Sequence, residues 1–402
     1  MVYLTKEAFS VLLLVLVTTV ECTVFRPHRH RTKRPRPTNS PISKVSCNTN
    51  IRNGLDSRAP VFFKNGQLEV PSGGEFKWYQ GENVGVLCSD PKNKLITTRR
   101  SQDTIDCYDG TRFTVGGKRE PISKIKCQYK TTGDVEITSQ SCAGSGTLMH
   151  VGFRSNLKFL NLYESCVDEN KTAVLYTHHT LYGSEIKSKS ISQRVDFKSE
   201  GFPKTSQPRT AYNTEVQIQR LATLLNSTKS VAKTYLNSSS NLQRGHLTPD
   251  GDMLLNTWQW ATYFYINVAP MWKSINTGSW KKLENTVRNF ASNNRLTVDV
   301  YTGTDGILEI QGVPVTLDSS NGIPVPQWLW KIVKHQNEAI VFVISNNPFQ
   351  ADNFPCGNTT VNYNWSRAGL TGEVAFCSVA DARPHIRTIP GTIFAPNVLH
   401  YR

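Results

Sequence analysis

The stretch Leu242-Gln-Arg-Gly-His-Leu-Thr-Pro249 lies past the middle of the 402-residue chain, and two further polar segments follow it closely. These segments are Tyr265-Ile-Asn-Val-Ala-Pro270 and Ile275-Asn-Thr-Gly-Ser-Trp280. Residues 262–268 are rich in aromatic and β-branched side chains, which favours a strand. Beyond them the chain has the apolar spacing of one helix face, at Trp280, Leu283, Val287 and Phe290. A predicted strand and an amphipathic helix therefore surround the polar segments.

Strands and helices also alternate on both sides of this region. The predicted strands are Phe159–Tyr163, Thr172–Tyr182 and the alternating runs that begin at Leu296 and Ile340. The predicted helices are short and cover Glu215–Thr223 and Val231–Leu236. Mixed elements of this kind predict one α+β domain over residues 146–402.

Residues 41–145 have a different sequence pattern, in which glycine-containing turns separate short predicted strands such as Val84–Leu87 and Phe113–Val115. Turn signals at this spacing predict a small β-rich domain. Five cysteines lie inside it, and we find no catalytic constellation there. We interpret it as a disulfide-rich accessory domain.

The N-terminus predicts export. Lys6 precedes the apolar run Ala8–Val17, which fits a signal peptide over residues 1–22 and is too short for a membrane anchor. A basic, proline-rich tail follows at residues 23–40. The chain has 46 Lys and Arg against 31 Asp and Glu, a net charge of +15 that favours anionic partners. We expect a secreted protein with no membrane partner.

The cysteines agree with an oxidising compartment. Nine are present, and removal of Cys22 with the signal peptide leaves eight, an even set for disulfides. Cys356 and Cys377 stand apart from the others and are expected to pair, whereas the remaining six allow 15 connectivities. Five Asn-x-Ser/Thr glycosylation sequons begin at Asn170, Asn226, Asn237, Asn358 and Asn364.

Taken together, the three polar segments resemble the DNA/RNA non-specific endonucleases, whose active site is a ββα-metal unit. Leu242–Pro249 resembles that family's Asp-Arg-Gly-His signature, and the similarity extends over about residues 148–385. The layout looks closest to the secreted double-stranded ribonucleases of insects. The resemblance implies a central, mostly antiparallel sheet flanked by helices. It also implies Mg²⁺-dependent hydrolysis, with Mn²⁺ as a substitute, that leaves 5′-phosphate and 3′-hydroxyl ends.

The same resemblance assigns roles to individual residues. His246 matches the general base, and a histidine is mostly neutral at pH 7 and above. Asn276 matches the metal ligand and Glu284 a carboxylate behind it, while Asn267 matches the asparagine that organises the site. The residues expected to bind the scissile phosphate are Arg194, Arg244 and Arg288, since guanidinium groups match phosphate oxygens.

Two positions depart from the family pattern. Gln243 stands in place of an aspartate, which removes a negative charge beside the base, and Met271 stands in place of a glutamine. Asp250 and Asp252 lie in a Pro-Asp-Gly-Asp context that favours a turn over a metal site. His178 and His179 are adjacent on a predicted strand, so they face opposite ways and make a poor metal pair.

The leading hypothesis is a secreted Mg²⁺-dependent endonuclease that cuts RNA, DNA or both with little sequence preference, double-stranded RNA being the favoured substrate. One alternative is a catalytically silent extracellular nucleic-acid-binding protein. A glycan- or membrane-surface binder explains the charge but not the motif. The sequence leaves the oligomeric state open.

Overall fold

The computed structural model describes residues 44–90, 92–318, 322–350, 353–356 and 374–400. The predicted signal peptide, the predicted tail and the sequons at Asn358 and Asn364 lie outside these ranges. The other three sequons begin at exposed asparagines. In the described ranges, no helix is long and apolar enough to cross a bilayer.

Residues 44–133 form a β-rich module, as the frequent turn signals predict. Its eight strands are β1 Ser46–Asn50, β2 Val61–Lys64, β3 Gln67–Leu68, β4 Glu75–Tyr79, β5 Val84–Leu87, β6 Gln102–Cys107, β7 Arg112–Val115 and β8 Lys118–Pro121. Strands β1 and β4 pair with each other, and the other six form a sheet in the order β3-β2-β5-β6-β7-β8. Disulfides Cys47–Cys107 and Cys88–Cys127 connect the module internally.

A nine-stranded sheet dominates the rest of the chain. Its strands are β9 Asp134–Cys142, β10 Gly146–Arg154, β11 Phe159–Asp168, β12 Ala173–Tyr182, β15 Thr297–Asp305, β18 Trp328–His335, β19 Glu338–Ser345, β20 Ala375–Cys377 and β21 Asn397–Val398. The order is β20-β19-β18-β15-β12-β11-β10-β9, and β21 pairs with β19. Only the β19–β21 pairing is parallel among the described strands, so the sheet is mostly antiparallel as expected.

The large sheet begins before the predicted boundary at residue 146. Strand β9 is its edge strand, and the disulfide Cys142–Cys166 joins β9 to β11. One hydrophobic core runs from Phe62 and Trp78 in the module to Leu254 and Phe290. The division into an accessory and a nuclease domain at this boundary stays a prediction. The expected Cys356–Cys377 pair is confirmed.

Seven α-helices, four short strands and several 3₁₀ or π turns complete the described part of the chain. The helices are α1 Pro208–Ala211, α2 Thr214–Leu224, α3 Lys229–Tyr235, α4 Asn256–Trp260, α5 Lys273–Ile275, α6 Lys281–Asn293 and α7 Val379–Ala382. The strands are β13 Leu242–His246, β14 Val268–Trp272, β16 Glu309–Ile310 and β17 Val313–Pro314. Strands β13 and β14 pair antiparallel and α6 follows them, so the chain contains a ββα unit.

The predicted strand over residues 262–268 is wrong in most of its length. Residues Tyr265–Asn267 form a 3₁₀ turn, and β14 begins only at Val268. The reason is Asn267, whose side-chain amide donates to the carbonyls of Thr248 and Thr262 at 2.8 Å each. Side-chain bonds of this kind compete with the ladder of a strand.

Helix α6 follows its predicted face. Trp280 precedes it, and the side chains of Trp280, Leu283, Val287 and Phe290 are all buried. Each such burial stabilises the fold by about 1.5–3 kcal/mol. Because these four residues face the core, Glu284 and Arg288 lie on the opposite flank, where the helix borders a cleft.

Candidate active site

A cleft of about 660 Å³ lies over the ββα unit. Its lining includes six of the seven residues predicted from the sequence, namely Arg194, Arg244, His246, Asn276, Glu284 and Arg288. The seventh, Asn267, is fully buried and does not line the cleft. Asn241, Thr277 and Lys281 also contribute to the wall. The predicted residues therefore meet in one place although they span almost 100 positions of the chain.

His246 ends strand β13 and is held between aromatic rings. Its ring centroid lies 4.9 Å from that of Tyr263 and 5.2 Å from that of Phe197. Its pKa is lowered to about 4, chiefly by burial, which the charge of Asp250 opposes and the charge of Arg194 assists. Its Nε2 atom has no hydrogen-bond partner among the described residues. His246 is thus a neutral imidazole with a free nitrogen, as a general base requires.

The Arg244 guanidinium lies among aromatic rings. Its Cζ atom is 5.2 Å from the ring centroid of Tyr212, 5.5 Å from Phe197 and 5.8 Å from Tyr265. Cation–π attraction holds a guanidinium in such a position without neutralising it. The buried Nε of Arg244 has no partner in the described structure. Arg244 therefore presents an uncompensated positive charge to the cleft.

Gln243 pairs with the predicted metal ligand. The Nδ2 atom of Asn276 donates to Oε1 of Gln243 at 2.9 Å, which leaves the oxygen of Asn276 for another partner. Gln243 carries no charge, as the sequence shows, but the charge of Asp250 acts on the pKa of His246. Gln243 orients Asn276, and the carboxylate beside the base comes from the turn after β13. This turn, Asp250–Asp252, is the one predicted from the Pro-Asp-Gly-Asp context.

Behind the cleft, Arg288 takes part in a buried network that the sequence did not reveal. Its Nη1 donates to Asp252 Oδ1 at 2.7 Å, and Asp252 Oδ2 lies 2.9 Å from Nε2 of His179. A Cβ atom on Gly251 would lie 2.8 Å from Arg288 Nη1, so a glycine at this position leaves room for the guanidinium beside the turn. The charge of Arg288, with a hydrogen bond from His179, overcomes burial and holds the pKa of Asp252 well below its usual range.

Glu284 and Lys331 form the deepest part of this network. Glu284 Oε2 lies 3.8 Å from Arg288 Nη2, and burial raises the pKa of Glu284 to about 7 against the opposing charges of Lys331 and Arg288. Lys331 on β18 is fully buried, donates to Thr302 Oγ1 at 2.5 Å and lies 5.0 Å from the ring centroid of Trp280. A charge inside the apolar run Trp328-Leu-Trp-Lys-Ile-Val333 is the sequence signal that points to it.

Asn267 acts through the backbone. Its Oδ1 accepts from the amide of Thr248 at 2.8 Å, and its own carbonyl accepts from the amide of Leu247 at 2.9 Å. Both bonds fix the two residues that follow His246. Asn267 therefore holds the backbone that follows His246, which fits an asparagine that organises the site, and its place in the catalytic set stays a prediction.

His178 lies on the face of the sheet away from His179, as the alternation of a strand predicts. Its two ring nitrogens lie 3.3 Å from Glu164 Oε2 and 3.2 Å from Asp299 Oδ1, and its ring stacks on Tyr301 at 4.1 Å. Burial alone would lower the pKa of His178, but these carboxylates raise it to about 9. In the described ranges, no group of three His, Cys, Asp or Glu side chains is arranged to hold a metal.

This raised pKa makes stability depend on pH. The charged pairs of His178 stabilise the fold fully below pH 6.5, and this contribution is lost as the pH rises through about 9. We expect His178→Gln to lower the free energy of unfolding by about 1–2 kcal/mol at pH 6, because it removes these charged pairs. The loss is not larger because Asp299 is partly exposed and solvent screens its charge. Urea unfolding of both proteins at pH 6 and pH 9.5 measures this, and an equal difference at both pH values would contradict it.

Residues 144–382 match the family model of the DNA/RNA non-specific endonucleases. The chain belongs to this family. It is also 30% identical over 326 residues to a salivary endonuclease of Lutzomyia longipalpis, covering 78% of this chain and 74% of the relative. The protein is therefore a nuclease with an α+β fold.

The chain is also similar to three further proteins. A salivary endonuclease of Culex quinquefasciatus is 28% identical over 76% of each chain. Salivary protein Tsal2A of Glossina morsitans morsitans is 26% identical over 88% of this chain and 95% of the relative. A solved chain of the EndoG/EndoGI complex matches at 19% identity with a TM-score of 0.33, covering 50% of this chain and 76% of that one.

Proposed function

We propose that the protein is a secreted, Mg²⁺-dependent endonuclease that hydrolyses phosphodiester bonds with His246 as general base and little sequence preference. The observation that carries the proposal is the free Nε2 of a neutral His246 in the same cleft as Asn276 and three arginines. A protein that only binds nucleic acid through charge has no need of a neutral, desolvated base. Membership of the nuclease family supports the same conclusion.

The residues present fit a divalent metal. The family depends on such a metal, and Mg²⁺ prefers oxygen donors while it keeps several waters. Asn276 offers one amide oxygen, because its nitrogen is bonded to Gln243. We assign the metal to Asn276, with Mn²⁺ as a substitute and Glu284 behind it. When bound, the ion supplies positive charge to the phosphate and to the leaving oxygen.

The side chains of the cleft then divide the reaction between them. Nε2 of His246 takes a proton from the attacking water, and burial keeps the ring ready to accept it at neutral pH. Arg244 and Arg194 provide positive charge on the phosphate oxygens. Arg288 adds a fixed charge, since Asp252 and Asn285 each accept a bond of 2.7 Å from it. The ends produced are a 5′-phosphate and a 3′-hydroxyl.

We propose double-stranded RNA as the preferred substrate and the extracellular space as the site of action. The apolar run Ala8–Val17 and the four described disulfides support secretion, and the two endonuclease relatives are named salivary. The test is purified protein with Mg²⁺ on matched single- and double-stranded RNA and DNA. Cleavage of duplex DNA faster than duplex RNA would contradict the substrate preference. Tight binding of duplex without any cutting in Mg²⁺ or Mn²⁺ would support the silent binder instead.

The metal assignment predicts a rescuable defect. Asn276→Ala removes the one protein oxygen assigned to the ion, so we expect cleavage at low Mg²⁺ to fall by about 10²-fold or more. High Mg²⁺ should restore part of this loss, because mass action refills a weakened site. Single-turnover rates across a Mg²⁺ titration measure the effect. Thr277→Ala, at an exposed neighbouring position on the same wall, is the matched control.

If Asn276→Ala loses its rate without any change in the Mg²⁺ concentration for half-maximal cleavage, the assignment is wrong. Gln243→Ala should show a smaller shift in the same direction. It leaves the Asn276 oxygen in place but removes the 2.9 Å bond that orients the amide.

A further inference from the structure

The β-rich module has an excess of positive charge. Residues 44–133 hold 15 Lys and Arg against 9 Asp and Glu, a surplus of six. Several of these acids already pair with basic residues, as in Asp56–Lys126 and Glu82–Lys64 at 2.8 and 3.3 Å. The surplus therefore remains on other side chains.

Four exposed lysines collect on one side of the module, together with a tyrosine whose side chain is 65% exposed. We call this set the module track, which consists of Lys92, Lys94, Lys124, Tyr129 and Lys130. None of the four ammonium groups has a carboxylate within ion-pair distance among the described residues. Unpaired lysines grouped on one surface fit a polyanion such as a phosphate backbone.

Backbone contacts hold the track together. Asn93, between the first two lysines, donates to the carbonyl of Tyr129 at 3.1 Å and accepts from its amide at 3.0 Å. The amide of Gln128 donates to the carbonyl of Lys94 at 2.8 Å. The carbonyl of Lys124 accepts from Thr97 Oγ1 at 3.5 Å, which places Lys124 beside the loop that carries Lys92 and Lys94. The lysines are thus fixed neighbours despite their separation in sequence.

The track continues toward the catalytic cleft. Nζ of Lys130 lies 5.0 Å from the ring centroid of Trp260, whose indole nitrogen donates to the carbonyl of Gln193 at 2.9 Å. Arg194, the next residue, lines the cleft. Nearby, Lys198 donates to the carbonyl of Thr132 at 3.0 Å, so the end of the module lies against the segment that forms the cleft rim.

We propose that the module track binds the phosphate backbone of a nucleic-acid duplex at a distance from the bond being cut. The inference rests on the proposed function, since the cut segment lies in the cleft. It gives the module a substrate-binding role: long duplexes contact the track and the cleft together, whereas short ones reach the cleft alone. A nucleic acid is favoured over a sulfated glycan because the track continues into the nuclease cleft through Arg194.

The test compares duplex lengths in a protein whose cleavage is strongly slowed. In a His246→Ala background, the track variant carries Lys→Gln at positions 92, 94, 124 and 130. Its control carries Arg52→Gln, Lys77→Gln, Lys229→Gln and Lys233→Gln, which make the same charge change at exposed sites elsewhere. Kd is measured for RNA and DNA duplexes of about 8 and 24 base pairs, ~27 and ~80 Å long for DNA, over a range of salt concentrations.

We expect the track variant to lose affinity for the long duplex by about 10- to 100-fold more than for the short one. Its slope of log K against log salt should fall by about 3, because each phosphate contact contributes roughly 0.9. The inference is overturned if the long-to-short ratio does not change, or if the control loses as much. It is also overturned if the substitutions abolish binding of a heparin fragment but not of the duplex. The proposed function fails separately, if the unmodified protein cuts no nucleic acid with any divalent metal.

Discussion

His246→Ala is expected to slow cleavage by about 10²–10⁴-fold, the contribution of a positioned general base, while duplex binding stays nearly intact. Binding survives because the positive charges of Arg194 and Arg244 do not depend on the imidazole. High Mg²⁺ should not restore the rate, since a metal ion cannot accept the proton. Added imidazole should restore part of it, because a small base can enter the space left by the side chain. Single-turnover cleavage and Kd, measured on the same preparations, check all three expectations.

Two comparisons test whether the loss of cleavage is specific to His246. His178→Gln changes a histidine on the other face of the sheet and should cleave at the rate of the unmodified protein at pH 7. In the unmodified protein, the titration of His246 should not change the cleavage rate between pH 6 and pH 8, because burial lowers its pKa to about 4. A His246→Ala protein that cuts as fast as the original would remove His246 from its assigned role, although the nuclease assignment from the family would stand.

The sequence predicted most of the cleft because its segments are local. Gln243, Arg244 and His246 lie within four positions on β13, and Asn276, Glu284 and Arg288 follow within thirteen positions around α6. Pairing of β13 with β14 then fixes both groups in one ββα unit. Of the predicted residues that line the cleft, only Arg194 comes from outside these segments, on a rim that no periodicity reveals. The prediction of a strand over residues 262–268 was wrong because the Asn267 side chain donates hydrogen bonds to the carbonyls of Thr248 and Thr262. These bonds replace the strand-to-strand hydrogen bonds that a β-ladder would need there.

The residues that the sequence did not reveal depend on register between distant strands. His179, Thr302 and Lys331 lie on β12, β15 and β18, which are neighbours in the large sheet, and Thr302 stands opposite both Thr177 and Lys331. No local pattern gives this alignment. The same holds for the aromatic rings around Arg244, which come from three separate segments. Local motifs therefore identify the candidate reacting groups, while the sheet supplies the groups that hold and tune them.

Asp252 shows how much the site depends on these buried residues. Asp252→Ala leaves Arg288 and His179 without their shared carboxylate in a buried place, where the Asp252 side chain is only 4% exposed. Removal of one partner from a buried ion pair costs about 3–5 kcal/mol of stability. We expect a loss of this size in the free energy of unfolding at pH 7, measured by urea titration. The loss should shrink in acid, because the lowered pKa of Asp252 provides stability above pH 3.8 that is lost as the pH falls toward the folded-state value.

The same variant also predicts a catalytic defect that lost stability does not explain. Arg288 would keep its charge but lose the 2.7 Å bond that fixes it beside the cleft, so cleavage should fall even where the protein is fully folded. Asp252→Asn should recover part of the stability, since an amide oxygen can still accept a bond from Arg288. Glu136→Ala is the control, because its ion pair with Arg154 is partly exposed and lies outside the cleft lining, so its removal should change neither property by much. If Asp252→Ala unfolds at the urea concentration of the unmodified protein, the carboxylate does not hold Arg288, and the guanidinium must be fixed by Asn285 and Glu284 alone.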